Sequence, residues 1–264
     1  MATNSEFVVL VVSGLFSLAV ASVTYYTARA TSRTHVEGEL KKIKKQIEAQ
    51  QAVEERGAIA NLRQCYLTPL RYYAHMLSQR LAELEAKFKS DENTRVRDWF
   101  KEVKDHATRD NRRHGFAAWA NYEGVFSLST LYYTCSYFRC AHEVRFRRPF
   151  VESRPSYCEE LDTYLARVTD AFAWDALHGL WDVSQETIGE RFTTNGAKMT
   201  YAEMCDVLDS ENPFPRAAYF RPLDFYWKYL NAEKALDIKA SLDELVEFLD
   251  SHDPQIYDLA KAIP

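Results

Sequence analysis

Six consecutive residues, Arg109-Asp110-Asn111-Arg112-Arg113-His114, place a guanidinium and an imidazole in one short segment. An imidazole titrates near neutrality and can carry a proton, and a guanidinium can hold a phosphate; together they supply what metal-free RNA cleavage needs. Gly115 follows directly, so the same residues also read as an exposed, solvated charged loop. A second set, Asp175, His178, Asp182, Glu186 and Glu190, is spaced to share one face of a helix. Di-iron bundles need a Glu-x-x-His from each of two helices, and only Asp175-x-x-His178 comes near that pattern, so a polar outer face is the reading preferred. Cys135, Cys140 and His142 do not converge on one ion at their helical spacing, and no metal site is expected. Arg139, Arg145, Arg147, Arg148 and Arg154 gather at the end of one apolar stretch, where they could meet an anionic lipid headgroup or a phosphate; positive charge at a helix C-terminus is favourable in any case. With 8 glycines in 264 residues, the chain has no GxGxxG, no GxxxxGKS/T, no GxSxG and no HExxH, and no cofactor is expected.

The segment from Arg109 to His114 resembles the motif of the HEPN helical-bundle nucleases. In that family the Arg and His are carried by paired subunits or domains, the His poised for proton transfer and the Arg for the phosphate. The resemblance therefore implies Arg109 and His114 as catalytic residues of a metal-independent ribonuclease. It covers these six residues only.

The elements that would position such groups begin with an address. Residues 7–23, FVVLVVSGLFSLAVASV, form one uncharged run that Thr24, Tyr25 and Tyr26 extend. At 1.5 Å per residue, about twenty such residues cross a hydrocarbon core roughly 30 Å thick, so a membrane-spanning helix is predicted. A cleaved signal peptide would carry basic residues before the run, whereas here Glu6 precedes it and Arg29, Arg33, Lys41, Lys42, Lys44 and Lys45 follow. By the positive-inside rule this predicts an uncleaved single-pass anchor in the inner or plasma membrane, with the N-terminus outside and the body cytoplasmic.

Residues 1–45 hold six of the 33 basic and three of the 38 acidic side chains, leaving a body with 27 against 35 and a net charge of −8. Such a body argues against nucleic-acid binding through phosphate neutralisation. The 5 cysteines are odd in number and form no CxxC pair, which fits reduced, mostly buried thiols in a reducing compartment.

Few glycines, and no proline before Pro69, predict an all-α fold: one N-terminal transmembrane helix, a short stalk helix and a cytosolic multi-helix bundle. The expected division is residues 1–28 as anchor, 29–56 as basic juxtamembrane stalk and 57–264 as helical domain, with a sub-boundary near 149–156. In the stalk, Val36, Leu40, Ile43 and Ile47 recur every four, three and four residues, as in a coiled coil between subunits or an amphipathic helix packed on its own chain. Further helices are predicted over residues 58–89, starting anew or kinking at Pro69, and over 95–108, 116–148, 157–191, 201–208 and 242–250. Turns are predicted around Pro213, Pro215 and Pro222, and capping boxes at Thr200/Glu203 and Ser241/Glu244.

The order of these pieces resembles that of a loosely defined group of uncharacterised bacterial single-pass membrane proteins. The likeness rests on the anchor with its basic follow-on, on Tyr66-Leu67-Thr68-Pro69-Leu70 leading to Arg80-Leu81, on Ser129-Thr130-Leu131-Tyr132-Tyr133 running into Glu143-Val144-Arg145, and on a late acidic helix ending near Asp250. It implies a helical cytosolic domain on one anchor and supplies no activity. The expected function is that of a membrane-tethered interaction or scaffold protein, not an enzyme, with the bilayer as partner and self-association through residues 29–56 or the anchor. The alternative is a membrane-bound HEPN-like ribonuclease or a pore-forming defence effector.

Overall fold

The computed structural model describes residues 4–90, 93–108, 116–122, 124–146, 155–173, 179–194, 196–210 and 213–262, with the backbone alone for 4–16, 253–262 and scattered positions elsewhere. Among the described residues the chain is all-α, with ten α-helices, two π-helical segments and one hairpin of two residues a strand. It divides into two compact units, residues 1–56 with 263–264, and residues 57–262.

Helix α1 (Asn4–Leu62) makes up the first unit as far as residue 56. The expected anchor and stalk are thus successive parts of one helix, because the sequence from 4 to 62 has no proline and only single glycines to stop it. No helix among the described residues is long and apolar enough to cross a membrane. The expected span at residues 7–26 falls mostly on residues 7–16, 18 and 19, whose side chains lie outside those described.

In the second unit a π-helical segment (Arg63–Leu67) leads into α2 (Thr68–Lys89), followed by α3 (Asn93–Thr108), α4 (Phe116–Tyr122) and α5 (Val125–Phe146). Then come α6 (Pro155–Ala173), α7 (Asp182–Arg191), strands β1 (Thr193–Thr194) and β2 (Ala197–Lys198), and α8 (Tyr201–Asp209). The chain closes with α9 (Pro213–Asp224), a second π-helical segment (Phe225–Tyr229) and α10 (Ala232–Ala262). The helices pack as a bundle in which α2 lies against α10 and α5, α10 also meets α6, and α5 also meets α7. Apolar side chains three and four residues apart on α2 supply the core: Leu70, Ala74, Leu77, Leu81 and Leu84 are fully buried, in one cluster with such α10 residues as Ile238, Leu242 and Leu245. Polar pairs flank that seam, with Arg71 Nη2 donating to Asp250 at 2.9 Å and the Ser78 hydroxyl to Asp243. The Arg71 guanidinium holds the Asp250 carboxyl below its usual range.

Proline marks helix starts as well as sitting where turns are predicted. Of the two expectations at Pro69, a new α-helix begins there: α2 starts at Thr68 with Pro69 in its first turn, where no backbone donor is needed, and the π-helical segment before it keeps the backbone helical. The region expected to be turns is helix α9. Pro213 and Pro215 occupy its first turn, where no backbone donor is needed, and Pro222 is tolerated inside it, just ahead of the second π segment.

Two expected long helices are divided. Residues 116–148 split at Gly124, where the Trp119 ring stands 2.6 Å from the position a Cβ would take. Residues 157–191 split into α6 and α7, with Leu180 N returning to Phe172 O at 2.9 Å and the buried Gln185 amide donating to Thr169 O at 3.0 Å and Leu180 O at 2.7 Å. The Thr200/Glu203 capping box forms, and its hydrogen bonds from Thr200 lower the Glu203 carboxyl below its usual range. Ser241 does not cap: it lies inside α10 and donates to Asp237 O at 3.2 Å, while Asn231 accepts from Lys234 N at 2.8 Å and starts the helix ten residues earlier than predicted.

At the α5–α7 contact a Cβ on Gly189 would stand 2.7 Å from Phe138 O and 2.9 Å from His142 Cβ. The first neighbour is backbone and cannot turn aside, so Gly189→Ala must separate the helices. It is expected to lower stability by about 1–3 kcal/mol, read as a fall in urea midpoint with the slope unchanged.

Candidate functional site

Arg109 and His114 lie outside the described residues. The helices on either side of their segment are joined by an aromatic contact, His106 of α3 stacking on Trp119 of α4 at 4.3 Å between ring centroids. Arg147 and Arg148 also lie outside the described residues, as do Asp175 and His178.

Arg139 and Arg145 are described, and both face carboxylates. Arg139, 6 % exposed, donates to Glu143 one turn on. Arg145 donates to the Thr169 hydroxyl of α6 at 3.0 Å and stands 3.8 Å from Asp182 of α7. Around it a cleft of about 420 Å³ is lined by Phe146, Asp162, Ala166, Thr169, Asp170, Asp182 and Glu186. Among the described residues, four carboxylates thus line the cleft beside one guanidinium. The Asp182 and Glu186 pair expected on one helix face does sit together, on α7, and it meets Asp162 and Asp170 because α6 and α7 lie side by side.

Thiol chemistry finds little support. Cys135, Cys140, Cys158 and Cys205 are buried; burial pushes the Cys140 thiol up to about 12 and the Cys205 thiol up to about 11. Such groups remain protonated and unreactive at neutral pH. Cys65 is exposed, and its thiol donates to Asn61 at 2.9 Å. Among the described residues no group of three or more His, Cys, Asp or Glu side chains is arranged to hold a metal ion.

Three polar arrangements carry no motif in the sequence. Lys198 of β2 donates to Tyr132 Oη at 2.6 Å and lies 4.6 Å from the Tyr73 ring centroid, tying the hairpin to α5 and α2. Arg97 of α3 donates to the carbonyls of Trp227 and Leu230 at 3.1 and 2.8 Å, at the end of the second π segment. Arg216 of α9 donates to Ala107 O at 2.6 Å, at the end of α3. Each joins elements far apart in sequence, so no local pattern could reveal it.

The remaining candidate is a surface. On α1 the predicted stripe is open to solvent: Val36 is 54 % exposed, Leu40 60 %, Ile43 48 % and Ile47 51 %. The intervening charges pair along the helix, Lys42 with Glu39 at 3.2 Å and Lys44 with Glu48 at 3.9 Å. Comparison with protein families, with curated proteins and with solved structures finds no match to this chain.

His142, which lines a small cavity with Arg145, Thr169, Gln185 and Glu186, supplies a pH signature. Its Nδ1 is buried with no hydrogen-bond partner among the described residues, and desolvation, with a smaller effect from Arg139, holds its pKa below the ordinary 6.5 against the opposing pull of Glu190, Glu186 and Glu143. A histidine depressed in the folded state favours unfolding once the unfolded chain takes up the proton first. Stability is therefore full above pH 6.5, declines as pH falls through that value, and levels off below the folded pKa. Comparing thermal midpoints at pH 7.5 and 5.5 should show a smaller loss in His142→Gln than in the parent, the test pH values lying roughly one unit either side of the ordinary histidine pKa.

Proposed function

We propose that the chain is a membrane-anchored protein whose helical body works in the cytoplasm through interaction and not through a reaction, and whose copies associate by way of α1. The observation that carries this reading is the exposed apolar stripe from Val36 to Ile47, four large side chains at coiled-coil spacing on α1. Apolar side chains repeated at coiled-coil spacing along one exposed helix face are an ordinary recognition surface for another helix.

The membrane part rests on the sequence of residues 7–26 and on the charges that flank it. Thr24 and Thr27 donate their hydroxyls to the carbonyls of Val20 and Val23 at 2.8 Å each, which suits side chains at the margin of an apolar medium. Tyr25 and Tyr26 are exposed beside them, as expected for aromatic rings at a lipid–water interface. On this reading the N-terminus lies outside the inner or plasma membrane and the bundle hangs inside it.

Two measurements on the full chain test the proposal. The protein should stay with membranes through an alkaline carbonate wash, and release by the wash would remove the anchor. Extracted in mild detergent, it should have a protein mass that is a multiple of 30.6 kDa, and Leu40→Asp/Ile47→Asp should lower that mass without loss of helical content. A single-chain mass for the parent would overturn the self-association.

A further inference from the structure

We infer that α1 assembles with copies of itself as a parallel, in-register coil of three or four strands over residues 36–47. This deepens the reading just given and rests on it.

The register follows from the spacing. With Val36 and Ile43 at d and with Leu40 and Ile47 at a, the flanking e positions are Glu37, Lys44 and Gln51, and the g positions are Glu39 and Gln46. In a parallel coil a g side chain reaches the e position five residues further along its neighbour. That places Glu39 against Lys44 of the next strand and Gln46 against Gln51, an opposite-charge pair and an amide pair with no like charges opposed. The bonds these groups now make are exposed i,i+3 and i,i+4 pairs, which a neighbouring strand can replace at little cost.

Charge alone does not choose the direction. An antiparallel pair over the same four apolar residues would set Leu40 against Ile43 and bring Glu37 against Lys44, which is also complementary. The continuity of α1 decides the matter: the helix is unbroken from Asn4 to Leu62, so the membrane run and the stripe share one axis. Val36 follows Tyr26 by ten residues, roughly 15 Å along the helix. Copies anchored in one membrane leave it on the same side in the same direction, and an antiparallel partner would carry its own apolar run away from the bilayer.

The number of strands follows from side-chain shape. Two-stranded parallel coils favour β-branched residues at a with Leu at d. Here both d residues, Val36 and Ile43, are β-branched, and Leu40 stands at a, an arrangement that shifts the preference to three or four strands. The seam is short for a coil free in water, but a shared membrane holds the strands at high effective concentration.

The test uses the full chain in mild detergent, with protein mass from light scattering and dissociation followed on dilution. A mass of three or four chains is expected. Lys44→Glu should raise the concentration at which the assembly dissociates by about tenfold, as loss of three or four exposed ion pairs would. Glu39→Lys in the same chain should restore it, and Glu37→Lys should not. A two-chain mass, no effect of Lys44→Glu, or rescue by Glu37→Lys in place of Glu39→Lys would overturn the parallel multi-strand coil while leaving self-association intact. A single-chain mass would overturn both.

Discussion

The bundle is organised by one strip of side chains. Leu70, Ala74, Leu77, Leu81 and Leu84 of α2 have no exposed surface, and the helix that carries them is shared between α10 and α5. Removing that much apolar area from water is the chief favourable contribution available to an all-helical unit. The rest is arranged around it: α5 carries the contact on to α7, and α10 carries it on to α6. The Arg71–Asp250 and Ser78–Asp243 pairs fix the α2–α10 register at the margin of the apolar contact.

Much of this was legible because helical periodicity is local. The α2 stripe, the apolar centre of α5 and the Thr200/Glu203 cap could be read from residues three and four apart, and the all-α class from the shortage of Gly and Pro. What could not be read depended on contacts distant in sequence. Pro222 looks like a helix breaker, yet α9 runs through it to Asp224, and Ser241 looks like a cap until Asn231 is found already capping the same helix. The division of residues 157–191 depends on Gln185 bonding backbone of α6 and of the α6–α7 join, which no spacing rule encodes.

The candidate sites follow the same division. The spacing of Val36, Leu40, Ile43 and Ile47 was visible, but their exposure on α1 was not. Arg139 and Arg145 were visible as part of a basic cluster; their carboxylate neighbours from Glu143, Asp182 and α6 were not. The buried thiols behave as small apolar groups, in keeping with a protein whose interior is built for packing.

Arg97 and Arg216 bear on how the body folds. A helix that ends on its own glycine can form and stop without help from elsewhere. Here the carbonyls at the end of the second π segment are satisfied by a side chain from α3, and a carbonyl at the end of α3 by a side chain from α9. Neither end is complete until the other is in place, so α3 and the α9 region gain their full stability together. A chain poor in glycine thereby exchanges local punctuation for mutual dependence, and its helices acquire their boundaries from one another during assembly.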